Sequence, residues 1–152
     1  MVDFHRMLWD ERFMRIAISV AGWSKDPSTR VGCVLVRNKK IVATGYNGFP
    51  AGIMDDDRLK DREEKYMLII HAEMNALLQA GHNARGTTLY LAGMPCCPCQ
   101  NCTKHIIQAG IVRIVHRRGI VKPHWQDEVV RSRNTLLEAG ITITECGREK
   151  NV

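Results

Sequence analysis

Residues 87–116 read TTLYLAGMPCCPCQNCTKHIIQAGIVRIVH, and the order of patterns in this stretch decides the fold. "TTLYLA" (87–92) has the β-branched and aromatic character of a strand, "CTKHIIQAG" (102–110) repeats at helical spacing and stops at a glycine, and "IVRIVH" (111–116) is again a strand. Strand, helix, strand in so short a span is a right-handed crossover between parallel strands. Outward from it the alternation continues. "QDEVVRSRNTLLEAG" (126–140) reads as a helix and "ITITEC" (141–146) as a strand. Upstream, "HAEMNALLQAGH" (71–82) is a helix ended by Gly81, and "VGCVLV" (31–36) with "KIVATGY" (40–46) forms an antiparallel hairpin across "RNKK". Residues 4–23 form a helix with Met7, Met14, Ile18 and Ala21 on one face. The expected fold class is α/β, a three-layer α/β/α sandwich around a mixed five-stranded sheet.

The 152 residues suit one domain, residues 1–152, with an apolar fraction of 45% and a charged fraction of 25%. No apolar run approaches a membrane span and the N-terminus lacks a signal-peptide core, so the expected location is cytoplasmic with no membrane partner. The net charge of +6 suits a nucleic acid or a small phosphorylated substrate. The nine aromatics do not interleave with basic residues as a base-stacking surface requires, so a nucleic-acid partner is not expected. "DDDRLKDREEK" (55–65) carries ten charges in eleven residues; with Asp56/Lys60 and Asp61/Lys65 at i,i+4 it reads as a solvated helical insertion.

Four of the six cysteines lie within residues 96–102, and a reducing compartment turns such a cluster toward metal binding rather than disulfides. His71-Ala72-Glu73 opens one helix, and Pro98-Cys99-Gln100-Asn101-Cys102 opens the next, with Cys99 placed 28 residues after His71. H-x-E followed by P-C-x-x-C is the pattern of zinc nucleobase deaminases. One neutral imidazole and two thiolates balance the charge of Zn²⁺, and three protein ligands leave a fourth position open for water. Such a site acidifies its water less than three histidines would, which gives Glu73 its task as proton carrier. A second register, Pro95-Cys96-Cys97-Pro98-Cys99, shares Cys99. The periodic helix that follows directly favours Cys99 with Cys102, leaving Cys96 and Cys97 as buried bystanders and Cys33 and Cys146 as small core residues.

The blocks "SKDPSTRVG", "GYNGFPAG", "HAEMNALL" and "PCQNCTKHIIQAGI" resemble, in order and spacing, the deoxycytidylate (dCMP) deaminases within the cytidine deaminase superfamily, over roughly residues 15–145. The resemblance implies a cytidine-deaminase-like fold and the hydrolysis of dCMP to dUMP and ammonia, feeding dTMP synthesis. It implies one Zn²⁺ on His71, Cys99 and Cys102 with Glu73 catalytic. It places Asn47 at the sugar, the Ala72 backbone at the base and Lys104 at a nucleotide-linked position, while Arg117 and Arg118 stand open as phosphate ligands or surface charges. Extra Cys or His ligands for a structural zinc, present in several relatives, are missing from residues 49–70. "GYNG" also implies a homohexamer activated by dCTP and inhibited by dTTP, the triphosphate binding with Mg²⁺ near Lys25, Arg30, Tyr46 and Asn47. Two other readings stay open: a tRNA adenosine deaminase or another nucleobase deaminase with the same metal chemistry, and a non-catalytic zinc module that binds nucleic acid.

Overall fold

Asn38 and Lys39 both take positive φ, 51° and 59°, and this pair of left-handed residues makes the tight turn that joins β1 (Gly32–Arg37) to β2 (Lys40–Tyr46). The structure is a computed structural model and describes residues 1–148. The sheet runs β2-β1-β3-β4-β5, with β3 at Thr88–Ala92, β4 at Arg113–Arg118 and β5 at Thr142–Arg148. β1 is antiparallel to both β2 and β3, whereas β3, β4 and β5 are mutually parallel. The mixed five-stranded sheet of the sequence reading is therefore observed.

Side chains alternate across this sheet as the two-residue period requires. Cys33, Leu35, Leu89, Leu91 and Ile114 face one side, where they pack with α3 (Ala72–Ala80), α4 (Gln100–Gln108) and α5 (Gln126–Glu138). Val34, Val36, Tyr90, Val115 and Cys146 face the other, covered by α1 (Phe4–Ala21). Three layers result, with α1 alone on one face. Cys33 and Cys146 are buried core residues, as expected.

Two strand glycines set how closely the helices approach. A Cβ on Gly45 would lie 2.2 Å from the Ala72 carbonyl oxygen and 2.4 Å from the Ala76 nitrogen, so α3 rests on bare backbone. Gly32 does the same for α1, where a Cβ would meet the Ala17 oxygen at 2.1 Å. The first contact matters for function because α3 begins at His71.

Two expectations need correction. The buried face of α1 is Asp10, Phe13, Met14, Ala17, Val20 and Ala21, while Met7 and Ile18 are 50% and 47% exposed. At about 100° per residue the buried arc is turned roughly a quarter turn from the Met7–Ile18 line. Asp10, a charge that an apolar count skips, lies within that face, held inside by Arg113 and Tyr90. The second correction concerns residues 55–65. Here Asp56 caps a short 3₁₀ turn at Asp57–Leu59, Asp61 caps α2 (Arg62–Leu68), and Lys60 pairs with Asp57. Most of the segment is exposed, as expected, but Leu59 and Lys65 are buried and the helix is broken into these two short pieces.

Candidate active site

His71 and Cys99 are the N-cap residues of α3 and α4, both in extended conformation, and Cys102 lies three residues into α4. Helix starts bring the donors together because each cap side chain projects past the end of its helix toward the same point. His71 Nδ1 lies 3.4 Å from Cys99 Sγ and 3.4 Å from Cys102 Sγ. All three ligating atoms are within 4.8 Å of one another, the one such group of His, Cys, Asp or Glu among the described residues. Tetrahedral zinc with ordinary bond lengths places nitrogen and sulfur ligands roughly 3.5 Å apart, so the donor set fits Zn²⁺. Cys96 is outside the group.

The two thiols are electrically unequal. The hydrogen bond from Cys102 lowers Cys99 well below the usual thiol value, with help from His71 and against burial. The same bond, with burial, pushes Cys102 up. The bond with Cys99 raises His71 above the usual imidazole value although burial opposes it. A thiolate is thus already favoured at the N-terminus of α4, where the helix dipole and the Cys102 N–H, 3.5 Å from Cys99 Sγ, support negative charge. Cys97 differs. Its Sγ sits 4.0 Å from His116 Nε2, and burial pushes the thiol up and the imidazole down, so the pair is neutral.

Glu73 is 3% exposed on the first turn of α3 and lines the same cavity as His71, Ala72 and Cys99. Burial raises its carboxyl to about 7, even though its own backbone N–H donates to it. A buried carboxyl that stays half-protonated near neutrality is suited to taking and returning protons. The cavity measures about 450 Å³, within the range of small-molecule sites.

Away from the donor set, the cavity wall is a polar network that sequence reading missed. Asp26 Oδ1 accepts from the Ser28 and Thr29 backbone N–H groups and from Lys65 Nζ at 3.2 Å; Lys65 also donates to Ser28 Oγ at 2.8 Å. Burial pushes Asp26 up, but those donors outweigh it and hold the carboxyl below its ordinary value. The available signal was "DPST" (26–29), an Asp placed to cap the N–H groups two and three residues on. Asn47 lines the cavity and is 6% exposed, with its amide engaged in structure: Oδ1 accepts from Val31 N–H at 2.8 Å and Nδ2 donates to the Thr29 carbonyl at 2.8 Å.

The other residues singled out from sequence lie outside the cavity. Lys104 is exposed on α4. Arg118 pairs with Glu145 at 2.6 Å and Arg117 with Glu11 at 3.2 Å, so both are tied to the chain's own carboxylates. Lys25 is exposed and paired with Asp55 at 2.8 Å, Arg30 is exposed, and Tyr46 packs edge-on against Trp23. The cavity's lysines are instead Lys65 and Lys122, with Trp125, Glu128 and Val129 supplying the wall from the start of α5 and the turn before it.

Comparison with known proteins agrees with this geometry. The chain is 36% identical over 138 residues to an uncharacterized deaminase from the luxG 3′ region of Aliivibrio fischeri, covering 90% of this chain and 92% of that one. It is 37% identical over 142 residues to human deoxycytidylate deaminase, covering 88% of this chain and 77% of the relative. Among solved structures, dCMP deaminase of the cyanophage S-TIM5 in its apo form superposes with a TM-score of 0.69 at 25% identity, covering 90% of this chain and 95% of that one. Residues 7–117 match the family described as the cytidine and deoxycytidylate deaminase zinc-binding region. With the donor set at two helix starts, a buried glutamate beside it and that match over most of its length, the chain belongs to the cytidine and deoxycytidylate deaminase family.

Proposed function

We propose that the protein hydrolyses dCMP to dUMP and ammonia, a reaction that supplies dUMP for dTMP synthesis. The observation that carries this reading is that Glu73 lines one cavity with His71 and Cys99, two members of the His71, Cys99 and Cys102 donor set. His71, Cys99 and Cys102 would hold a Zn²⁺ ion, and the chemistry it would supply is Lewis-acid activation of a water for attack at C4 of the ring. Glu73 takes one proton from the attacking water and delivers it to ring N3, where it stays, and then carries the second, from the oxygen now on C4, to the departing amine, leaving the C4 carbonyl of dUMP and ammonia. Its burial supports this, since the carboxyl is pushed to about 7 and exchanges protons readily in either direction. Ala72 and Asn47 both line the cavity, which supports a pose with the base at the Ala72 backbone and the sugar near Asn47.

A nucleoside monophosphate suits the cavity better than a nucleoside. Lys122 and the Ser28 hydroxyl line it and offer donors to a phosphate, and Lys65, already paired with Asp26, adds positive charge beside them. Lys104 and Arg118, outside the cavity, would act on the phosphate only through long-range field. For regulation, a surface with Lys25, Arg30 and Tyr46 next to Asn47 would take dCTP or dTTP with Mg²⁺, most readily between subunits of a homohexamer. The exposure of Lys25, Arg30 and Tyr46 supports that reading. A cytoplasmic location accords with a nucleotide substrate, and among the described residues no helix is long and apolar enough to cross a membrane.

Ammonia release tests the assignment directly. Incubated with dCMP, CMP, deoxycytidine and tRNA, the protein is expected to turn over dCMP fastest. Preferential release from tRNA would move the assignment to the adenosine deaminases, and release from none would leave a zinc module. Repeating the dCMP titration with dCTP and dTTP tests regulation separately, since hyperbolic curves indifferent to both would remove it.

A further inference from the structure

Gln100, the residue between the cap Cys99 and the rest of α4, is held twice by one helix. Its backbone N–H donates to Glu128 Oε1 at 3.1 Å, and its side-chain Oε1 accepts from Ser132 Oγ at 3.1 Å. Glu128 and Ser132 are four residues apart and so lie on one face of α5. Ser132 is fully buried; Glu128 is half-buried and lines the cavity. The first turn of any helix has N–H groups without intrahelical partners. Here Glu128 takes the first of them and Cys99 Sγ takes that of Cys102 at 3.5 Å, the two ends of the metal-binding turn.

We propose that Glu128, with Ser132 behind it, is the positioning residue for the metal-binding turn of α4, the clamp that keeps Cys99 and Cys102 aimed at His71. This rests on the reading of His71, Cys99 and Cys102 as zinc ligands. Gln100 is flanked by Cys99 on one side and by the turn to Cys102 on the other, so releasing it frees the backbone of one ligand and loosens the other. Hydrogen bonds beyond the ligands commonly matter to metal sites on this scale, because ligand direction is fixed by what holds the ligand. The clamp works by accepting a hydrogen bond. A neutral amide in the same place still accepts, if less strongly, and this separates positioning from a simple effect of charge.

The test is the rate at which zinc leaves the purified holoprotein for a chromogenic chelator at neutral pH, read with far-UV circular dichroism. Glu128→Ala is expected to release zinc about 10 to 100-fold faster than wild type. Ser132→Ala should release it faster too, by less, because one of the two bonds remains. Glu128→Gln keeps the acceptor and should stay within about threefold of wild type, with the dichroism of all three unchanged. Release at the wild-type rate by Glu128→Ala overturns the proposal. So does a Gln variant as fast as the Ala variant, or rapid release that appears only with loss of helix signal. Wild-type protein that takes up no zinc at all would overturn the metal reading itself, and this inference with it.

Discussion

Asp10 and Glu73 are carboxylates of nearly equal burial, 4% and 3% exposed, on opposite faces of the same sheet, and their surroundings differ completely. Asp10 meets the Arg113 guanidinium through both oxygens, with Nη1 at 2.8 Å from Oδ1, and Tyr90 Oη donates to it at 2.8 Å. Arg113 in turn donates to Thr144 Oγ1 at 3.0 Å, so the charges close among α1, β3, β4 and β5. Among the described residues no cation forms an ion pair with Glu73, and burial pushes its carboxyl to about 7. An acid whose charge is fully answered serves the fold, whereas one left short of partners is available for proton transfer.

Removing the glutamate's proton chemistry should produce the largest effect. Glu73→Gln is expected to keep zinc and melting temperature while ammonia release from dCMP falls by about 10² to 10⁴-fold. Activity within tenfold of wild type would erase the contrast. On the other face, Arg113→Met strands Asp10 as a buried unpaired charge and should cost about 3–5 kcal/mol in denaturant unfolding, with activity per folded molecule unchanged. Asp10→Leu added to Arg113→Met should restore most of that loss, because the penalty lies in the orphaned charge.

A third buried acid lies between these cases. Asp26 is held below its ordinary value of 3.8 by the Ser28 and Thr29 N–H groups and Lys65, despite burial. A lowered folded-state pKa means that the native state prefers the charged form, so the stability it adds is present above about pH 4 and fades as pH falls through the folded-state value. Asp26→Asn should therefore be less stable than wild type at pH 7 by about 1–3 kcal/mol, and the two unfolding curves should converge toward pH 2. The smallest effect is expected on the surface: Lys25→Ala breaks an exposed pair with Asp55 and should leave the melting temperature unchanged.

The sheet and the donor set were legible because both are local. Alternating residues in β1 and β3, glycines ending α3 and α4, and the two short motifs at helix starts each express their meaning within about ten residues. The missed features depend on partners far along the chain. Lys65 reads as one more charge in a solvated run until Asp26, 39 residues away, is folded against it. Glu128 gives no sign of its bond to Gln100, 28 residues earlier, and Asp10 looks like the polar side of a helix whose buried face it occupies. Arg118 and Lys104 drew attention by charge and resemblance, but neither lines the cavity.

The span of chain between paired residues also orders events in time. The donor set joins residues 28 and 31 apart, while the bond from Arg113 to Asp10 spans 103. Closing the longer loop costs roughly 1 kcal/mol more in chain entropy, and it waits for Arg113, which follows Cys102 along the chain. On the ribosome, His71, Cys99 and Cys102 therefore all emerge before Arg113 does, and metal capture can precede the sealing of α1 onto the sheet. The ion pair on the far face then acts as a latch on a chain that has already gathered its donors.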